Sequence, residues 1–414
     1  MIIRDLATVE AGGETIHSAV VVWEDQNHPE QMLSFATGAT VDIEASAACA
    51  EPCTDAFLTA CFPLAAVHGE ARVKIDGRPC PMLIEGLKTA YAWWESWGGM
   101  PAPAPAIETA ARGSVAPLTG SRHAVAFLSG GVDGLHVLMH NRRIYRPDDP
   151  AYIREALFIH GFDIGKRSRN PENERYQMAL RRLEPIAAET GLHLVPCRTN
   201  LRHFPSVPGF WEYRYNGAAL AAVGHAAIAR PAFLFIGASH DPANPVPWGS
   251  HPMLDPMFSS QRLRIIHEGS RFSRLDKVRE LSRWGTALAS LRVCSENVGN
   301  RANCGGCEKC LRTRLELLAA DVQETSAFGP SLPPEELWEH IVPKPIGGRA
   351  AVYEELLPAL RARGHLSLCR VIEERIARFS QEKELNFVGL ARDGGKHRLD
   401  DPPNRSHNAP WSID

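Results

Sequence analysis

The chain has 414 residues, enough for two or three domains at about 150 residues each. Its 44% hydrophobic and 22% charged content is that of a folded chain and excludes extended disorder. A formal net charge of −3 argues against a wide electrostatic grip on nucleic acid, and no apolar run reaches the ~18–20 residues that span a bilayer.

Taken from its start, Met1-Ile2-Ile3-Arg4-Asp5 has no basic stretch leading into an apolar one, so no secretory signal is expected and a cytoplasmic setting is. Residues 1–100 read as a small α+β domain. His17–Trp23 has strand composition, Asp55–Val67 suits a helix, and Ala71–Ile75 alternates like a half-buried strand before an Asp76-Gly77 turn. Pro81–Trp97 predicts a helix with Leu83, Leu87, Tyr91 and Trp94 on one face. The alternating prolines of Gly98–Pro105 suit a stiff extended connection, and residues 101–119 are expected to be a linker.

From residue 120 the pattern changes to short apolar runs separated by helical lengths. His123–Leu128, Ala156–Ile159, Leu192–Pro196 and Ala232–Ile236 are the predicted strands, with an alanine-rich helix over Gly217–Ala229. That alternation implies an α/β fold, a parallel sheet with helices on both faces, over residues 120–325. Ligands of such sheets bind beyond the carboxyl ends of the strands. Residues 326–391 read as a helical extension with Val352, Leu356, Leu357 and Leu360 as its apolar stripe, and 392–414 as a loose tail.

Two motifs carry chemistry. The first is Leu128-Ser129-Gly130-Gly131-Val132-Asp133-Gly134, in which a strand runs through two glycines into a helix. Glycines let backbone amides close on phosphate oxygens at the positive end of the new helix. Ser129 adds a hydroxyl, and Asp133 could hold Mg2+ bridging phosphates. The plain alternative is an ordinary strand-to-helix turn. The lysine of the G-x-x-x-x-G-K-[ST] loop is absent.

The second motif is Cys294 followed by Cys304-Gly305-Gly306-Cys307-Glu308-Lys309-Cys310. In a reducing setting the ten cysteines point to metal binding, catalysis or packing rather than disulfides. Four thiolates at this spacing suit one tetrahedral Zn2+ with no open position, hence a structural site; an iron–sulfur cluster uses the same ligands. Cys49, Cys53, Cys61 and Cys80 lack an accompanying histidine pattern and read as packed or incidental thiols.

Ser129-Gly130-Gly131-Val132-Asp133-Gly134 resembles the Ser-Gly-Gly-x-Asp-Ser loop of the PP-loop ATP pyrophosphatases, which cleave ATP between the α- and β-phosphates. With the cysteine cluster about 160 residues later, residues 120–325 look like the 7-cyano-7-deazaguanine synthase family. Leu311-Arg312-Thr313-Arg314, Ile236-Gly237-Ala238-Ser239-His240-Asp241 and Leu275-Asp276-Lys277 fit the same resemblance. The long extensions and the divergent Pro247–Pro256 segment look more like the extended relatives in bacterial anti-phage defence operons.

The resemblance implies an adenine nucleotide alpha hydrolase-like fold. It also implies ATP-dependent adenylation of a purine-like carboxylic acid with pyrophosphate release, followed by attack of ammonia or of a partner protein's amine. An ATP site of Leu128, Ser129, Gly130, Gly131, Val132, Asp133, Gly134 and His160 follows, with Ser129, Asp133 and Lys277 as catalytic groups and Arg271 or Arg274 as alternatives to Lys277. Asn200, Arg202, Ser239, Asp241 and Asp255 are candidate substrate contacts, each also readable as a residue that satisfies its own loop. Asp133→Ala is expected to stop turnover and leave folding intact. Gly134 stands where the family has serine, and restoring serine is expected to speed pyrophosphate release. The alternatives are a conjugating subunit that joins a deazapurine to a partner protein, a decayed nucleotide-binding subunit, and a tRNA thiolase with Cys197 as sulfur carrier. A homodimer stays open.

Overall fold

A computed structural model describes residues 1–38, 53–98, 100, 103–110, 122–165, 174–228, 232–244, 246–294, 301–322, 325–328 and 349–378. Gly12 and Gly13, at φ of 61° and 78°, supply the left-handed turn that folds β1 (Ile2–Ala11) back on β2 (Glu14–Val22). β3 (Gln31–Gly38) adds antiparallel to β2. On the other side β4 (Arg72–Ile75) pairs parallel with β1, and β5 (Ala106–Thr109) pairs parallel with β4. The Asp76-Gly77 turn therefore closes no hairpin: the chain crosses through α2 (Pro81–Ser96). Residues 106–109 of the expected linker are strand.

The second half supplies β6 (His123–Phe127), β7 (Ile153–His160), β8 (His193–Thr199), β9 (Ala232–Gly237) and β10 (Leu263–Glu268), all parallel. Both halves form one ten-stranded sheet, ordered β10-β9-β6-β7-β8-β3-β2-β1-β4-β5. The join is antiparallel, with Phe35 opposite Thr199 and Thr37 opposite Cys197. Asn200 extends it: its amide oxygen accepts from Ser34 N at 2.9 Å, and its amide nitrogen donates to Met32 O at 2.6 Å.

Strand side chains alternate between two cores. Val125, Leu157, Val195 and Leu234 point to one face, covered by α1 (Thr54–His68), α2 and α6 (Asn216–Ala227). Ala126, Ala156, Phe158 and Phe235 point to the other, covered by α3 (Val132–Ile144), α4 (Glu174–Arg181), α5 (Glu184–Thr190), α7 (Arg274–Leu281) and α8 (Gly285–Ser290). α1 is buried from Ala56 to Ala66, and its small residues pack against the alanine face of α6. Gly224 lets α6 settle on β9, since a Cβ there would lie 2.3 Å from Leu234 Cδ2. The first core thus runs through the expected boundary between the N-terminal region and the parallel sheet.

α9 (Glu308–Ala319) leads to a smaller third core with α10 (Arg349–Glu354), α11 (Leu357–Ala362) and a helix over 366–378. Its buried stripe is Tyr353, Leu356 and Leu360, while Val352 and Leu357 are only half-buried. The tail 392–414 lies outside the described residues. No helix among the described residues is long and apolar enough to cross a membrane.

Burial, the largest influence on each, holds the imidazoles of His17, His160 and His225 below the ordinary histidine pKa. Folded, these groups bind protons less readily than unfolded, so their contribution is complete above the unfolded pKa of about 6.5 and is lost as pH falls below it. Urea midpoints should therefore drop between about pH 7.5 and about pH 5.5. A flat or rising midpoint would contradict the burial of neutral histidines.

Candidate functional site

The parallel strands run in the order β8-β7-β6-β9-β10, so the strand order reverses between β6 and β9, and sheets of this kind carry their ligand crevice at that point, beyond the carboxyl ends of the strands. β6 ends at Phe127 and α3 starts at Val132, which leaves Leu128–Gly131 to make the turn. Leu128 N donates to Leu157 O at 3.1 Å. Gly130 takes a φ of 81°, and a Cβ there would meet Ser290 O at 3.2 Å and Arg292 Cβ at 3.3 Å. Glycine thus lets the segment after α8 close on the loop, where Arg292 N donates to Gly130 O at 2.8 Å. Gly131 caps α3 without any side-chain hydrogen bond. The amides of the first turn have no intrahelical acceptor, so this helix end suits an anion. Ser129 is exposed beside it and Ser239 is exposed across the crevice, after β9.

Asp133 has a different setting from the one expected. Its Oδ1 lies 3.2 Å from Lys277 Nζ and its Oδ2 3.1 Å from Arg274 Nη1. Burial pushes its carboxyl up, but Lys277 and Arg274 outweigh that and hold it below the usual range. Both oxygens are engaged by cations, so the carboxylate does not fit the role of a magnesium ligand. Lys277, 2% exposed, also donates to Ala238 O. It ties the start of α3 to the end of β9 and is a positioning residue, not a group open to a phosphate. Arg274 continues to Glu316 at 3.3 Å, and Arg312 links Glu316 to Glu308. Arg271 instead reaches His140. Asp133→Ala would leave buried Lys277 unpaired, at a cost of about 3–5 kcal/mol, so intact folding is not expected of that variant.

Gly134 is constrained by space. A Cβ there would lie 2.9 Å from Phe127 O, because α3 starts pressed against the end of β6. Gly237 does the same from β9, where a Cβ would approach Asp133 backbone atoms at 3.0 and 3.1 Å. A serine at 134 must therefore displace this packing.

Of the candidate substrate residues, several serve the fold. Asn200 is used by β3 as described above. Asp241 Oδ1 accepts from Ala243 N at 2.9 Å and Asn244 N at 3.1 Å and so closes its own turn. Asp255 is fully buried among Ser250 Oγ, His267 Nδ1 and His251 N, with Oδ2 2.7 Å from each of the first two. His160 is buried edge-on to Tyr176, and a Cβ on Gly165 would lie 2.2 Å from its Nε2, so its side chain is packed inside. Cys197 is 1% exposed and burial pushes its thiol up, the setting of a packed thiol. Cys53, Cys61 and Cys80 are packed or hydrogen-bonded thiols; Cys49 lies outside the described residues. Arg202 does reach the crevice edge, with its guanidinium 3.9 Å from the Trp211 ring centre.

The residue the sequence reading missed is Arg292. It is 9% exposed and packed on Gly130. Burial pushes its pKa down, and Asp163 and Cys294 oppose that. Its only sequence signal is its place two residues before Cys294.

Cys294, Cys304, Cys307 and Cys310 converge, with all four Sγ atoms within 4.8 Å of one another. The Cys304–Cys310 and Cys294–Cys307 pairs are both 3.9 Å apart. Four sulfurs bonded to zinc at ~2.3 Å lie about 3.8 Å apart, so the set fits a zinc ion. Cys307 N donates to Cys304 Sγ at 3.3 Å, and Gly305 takes the φ of 83° that the turn needs. Asn303 organises the approach. It accepts from Val293 N and Cys294 N and donates to Leu291 O and Ala327 O, all at 2.8–3.2 Å.

No protein-family model matches the chain, and no curated protein and no solved structure matches it either.

Gly134→Ser should lower stability by about 1–3 kcal/mol in urea unfolding, from the forced approach to Phe127 O. Unchanged stability would refute the close packing. Cys304→Ser should remove one equivalent of bound zinc, measured by mass spectrometry of the metal. Asn303→Ala should weaken retention of that zinc against a chelator, since four hydrogen bonds at the ligand segment are lost.

Proposed function

We propose that this protein is an ATP-dependent C–N ligase of the PP-loop kind, which adenylates a flat, purine-like carboxylic acid and releases pyrophosphate. The observation that carries the reading is the uncapped start of α3 behind Ser129-Gly130-Gly131, at the point where the strand order reverses.

The first-turn amides and the Ser129 hydroxyl donate to the departing pyrophosphate, and Arg292 adds positive charge from the cysteine segment. Lys277, Arg274 and Asp133 hold the helix start against β9. The acid's carboxylate oxygen attacks the α-phosphorus, the bond to the bridging oxygen breaks, and pyrophosphate leaves. Ammonia or a partner's amine then attacks the acyl carbon, and AMP departs. The zinc site is closed and supplies rigidity alone.

Aromatic rings at the same edge support that class of acid. Phe162 follows β7, Trp211 follows β8, and Arg202 lies over Trp211. His240 and Trp248 follow β9, with Tyr213 against Trp248 at 5.5 Å. Aromatic faces with one guanidinium suit a planar heterocycle that bears a carboxylate.

A second reading is a nucleotide-binding subunit without turnover, favoured by the engagement of both Asp133 oxygens. Pyrophosphate release from ATP, with and without carboxy-deazaguanine, separates the two. Release that depends on the acid supports the ligase, and ATP binding with no release supports the subunit. Ser129→Ala touches no packed core and should lower release by about 10²-fold with stability unchanged.

A further inference from the structure

We infer that His136, His140 and Glu280 form a second metal site, for a zinc-class divalent ion, between α3 and α7. His136 and His140 are four residues apart on α3, so their rings leave one helix face. Glu280 on α7 meets them, and one ligand atom from each of the three lies within 4.8 Å of the others. His136 Nε2 is 3.3 Å from Glu280 Oε2. Ligands bonded to zinc at about 2.05 Å stand about 3.4 Å apart, so this edge of the site already has the right length.

The independent observation is His136 itself. It is fully buried, and neither ring nitrogen has a hydrogen-bond partner. A neutral imidazole carries one N–H and one lone pair, and burying both unmet is costly. Nε2 faces Glu280 out of hydrogen-bonding geometry, an arrangement that a shared cation resolves. Phe272 packs edge-on against both imidazoles, at 4.7 and 5.0 Å, and holds them parallel at 8°.

Two imidazoles and one carboxylate select zinc or a similar transition ion over magnesium or calcium, which take oxygen ligands. Three protein ligands leave one position open. Two exposed guanidiniums stand at that side: Arg271 donates to His140 Nε2 at 2.9 Å, and Arg143 pairs with Glu280 Oε2 at 2.9 Å. An entering cation displaces them. Gly269 backs both His136 and Lys277, with would-be Cβ distances of 3.6 Å to Nδ1 and 3.7 Å to Cε. The ion would therefore brace the same pair of helices that Asp133 and Lys277 clasp. This assignment is independent of the proposed ligase activity.

The full-length protein, equilibrated with excess Zn2+ and desalted, should retain two zinc ions per chain. Cys304→Ser should retain one, and His140→Gln and Glu280→Gln should each retain one. In isothermal titration the His140→Gln loss should appear as a weakening of the second site by roughly 10²-fold, and Arg271→Ala should tighten it. Glu280 is half-buried at the rim, so Glu280→Gln keeps the test open if His140→Gln misfolds. Wild-type protein that retains a single zinc, lost in Cys304→Ser and unchanged in both His140→Gln and Glu280→Gln, overturns the assignment.

Discussion

One carboxylate, Asp133, held between Lys277 and Arg274, fixes the geometry on which the crevice depends. Without it, Lys277 would be a buried ammonium bonded only to Ala238 O, and α3 would lose its polar clasp to the end of β9, leaving the packing of Gly237 on the Asp133 backbone. The network runs on through Glu316, Arg312 and Glu308 to the Tyr353 hydroxyl, so it also anchors the C-terminal helices. Three cations and three carboxylates balance within it. In the proposed reading, an anion would therefore be met by the helix end and by Arg292, not by Lys277.

The cysteine cluster reaches the glycine loop through a short physical path. Four converging sulfurs fix Cys294, and Asn303 fixes the segment before it. Arg292 lies on that segment with its amide on Gly130 O. A closed structural zinc can thus set the shape of a loop it never touches. Gly130 is the reciprocal requirement, since any side chain there would strike Ser290 O and Arg292 Cβ. Neither motif needs the other in sequence, but in space each is built to the other's surface.

Much of the parallel sheet was legible because its strands are buried on both faces and read as unbroken apolar runs. β10 escaped because Leu263-Arg264-Ile265-Ile266-His267-Glu268 is an edge strand with charged positions. β5 escaped because its four residues follow a proline run and bury little. The cysteine ligands were legible from spacing alone, since a tetrahedral ion needs four thiolates and little else. The carboxylates were not. Asp133, Asp241 and Asp255 look alike in sequence, and their roles are set by partners on other elements: two cations, a local turn, and a buried serine–histidine pair. The same holds for Gly134, whose reason is a carbonyl seven residues earlier.

The join of β3 to β8 changes what the N-terminal region is for. Left alone, β8 would be an open edge of the parallel sheet, with unpaired amides at the rim of the crevice. β3 covers that edge, and the Asn200 side chain carries the pairing one step past the strand. The loop that follows holds Arg202 and leads to Trp211, and His68 at the end of α1 meets Pro205 O at 3.2 Å. The loop is thus gripped on one side by β3 and on the other by α1. The first hundred residues therefore hold in place the segment that carries the Arg202–Trp211 contact.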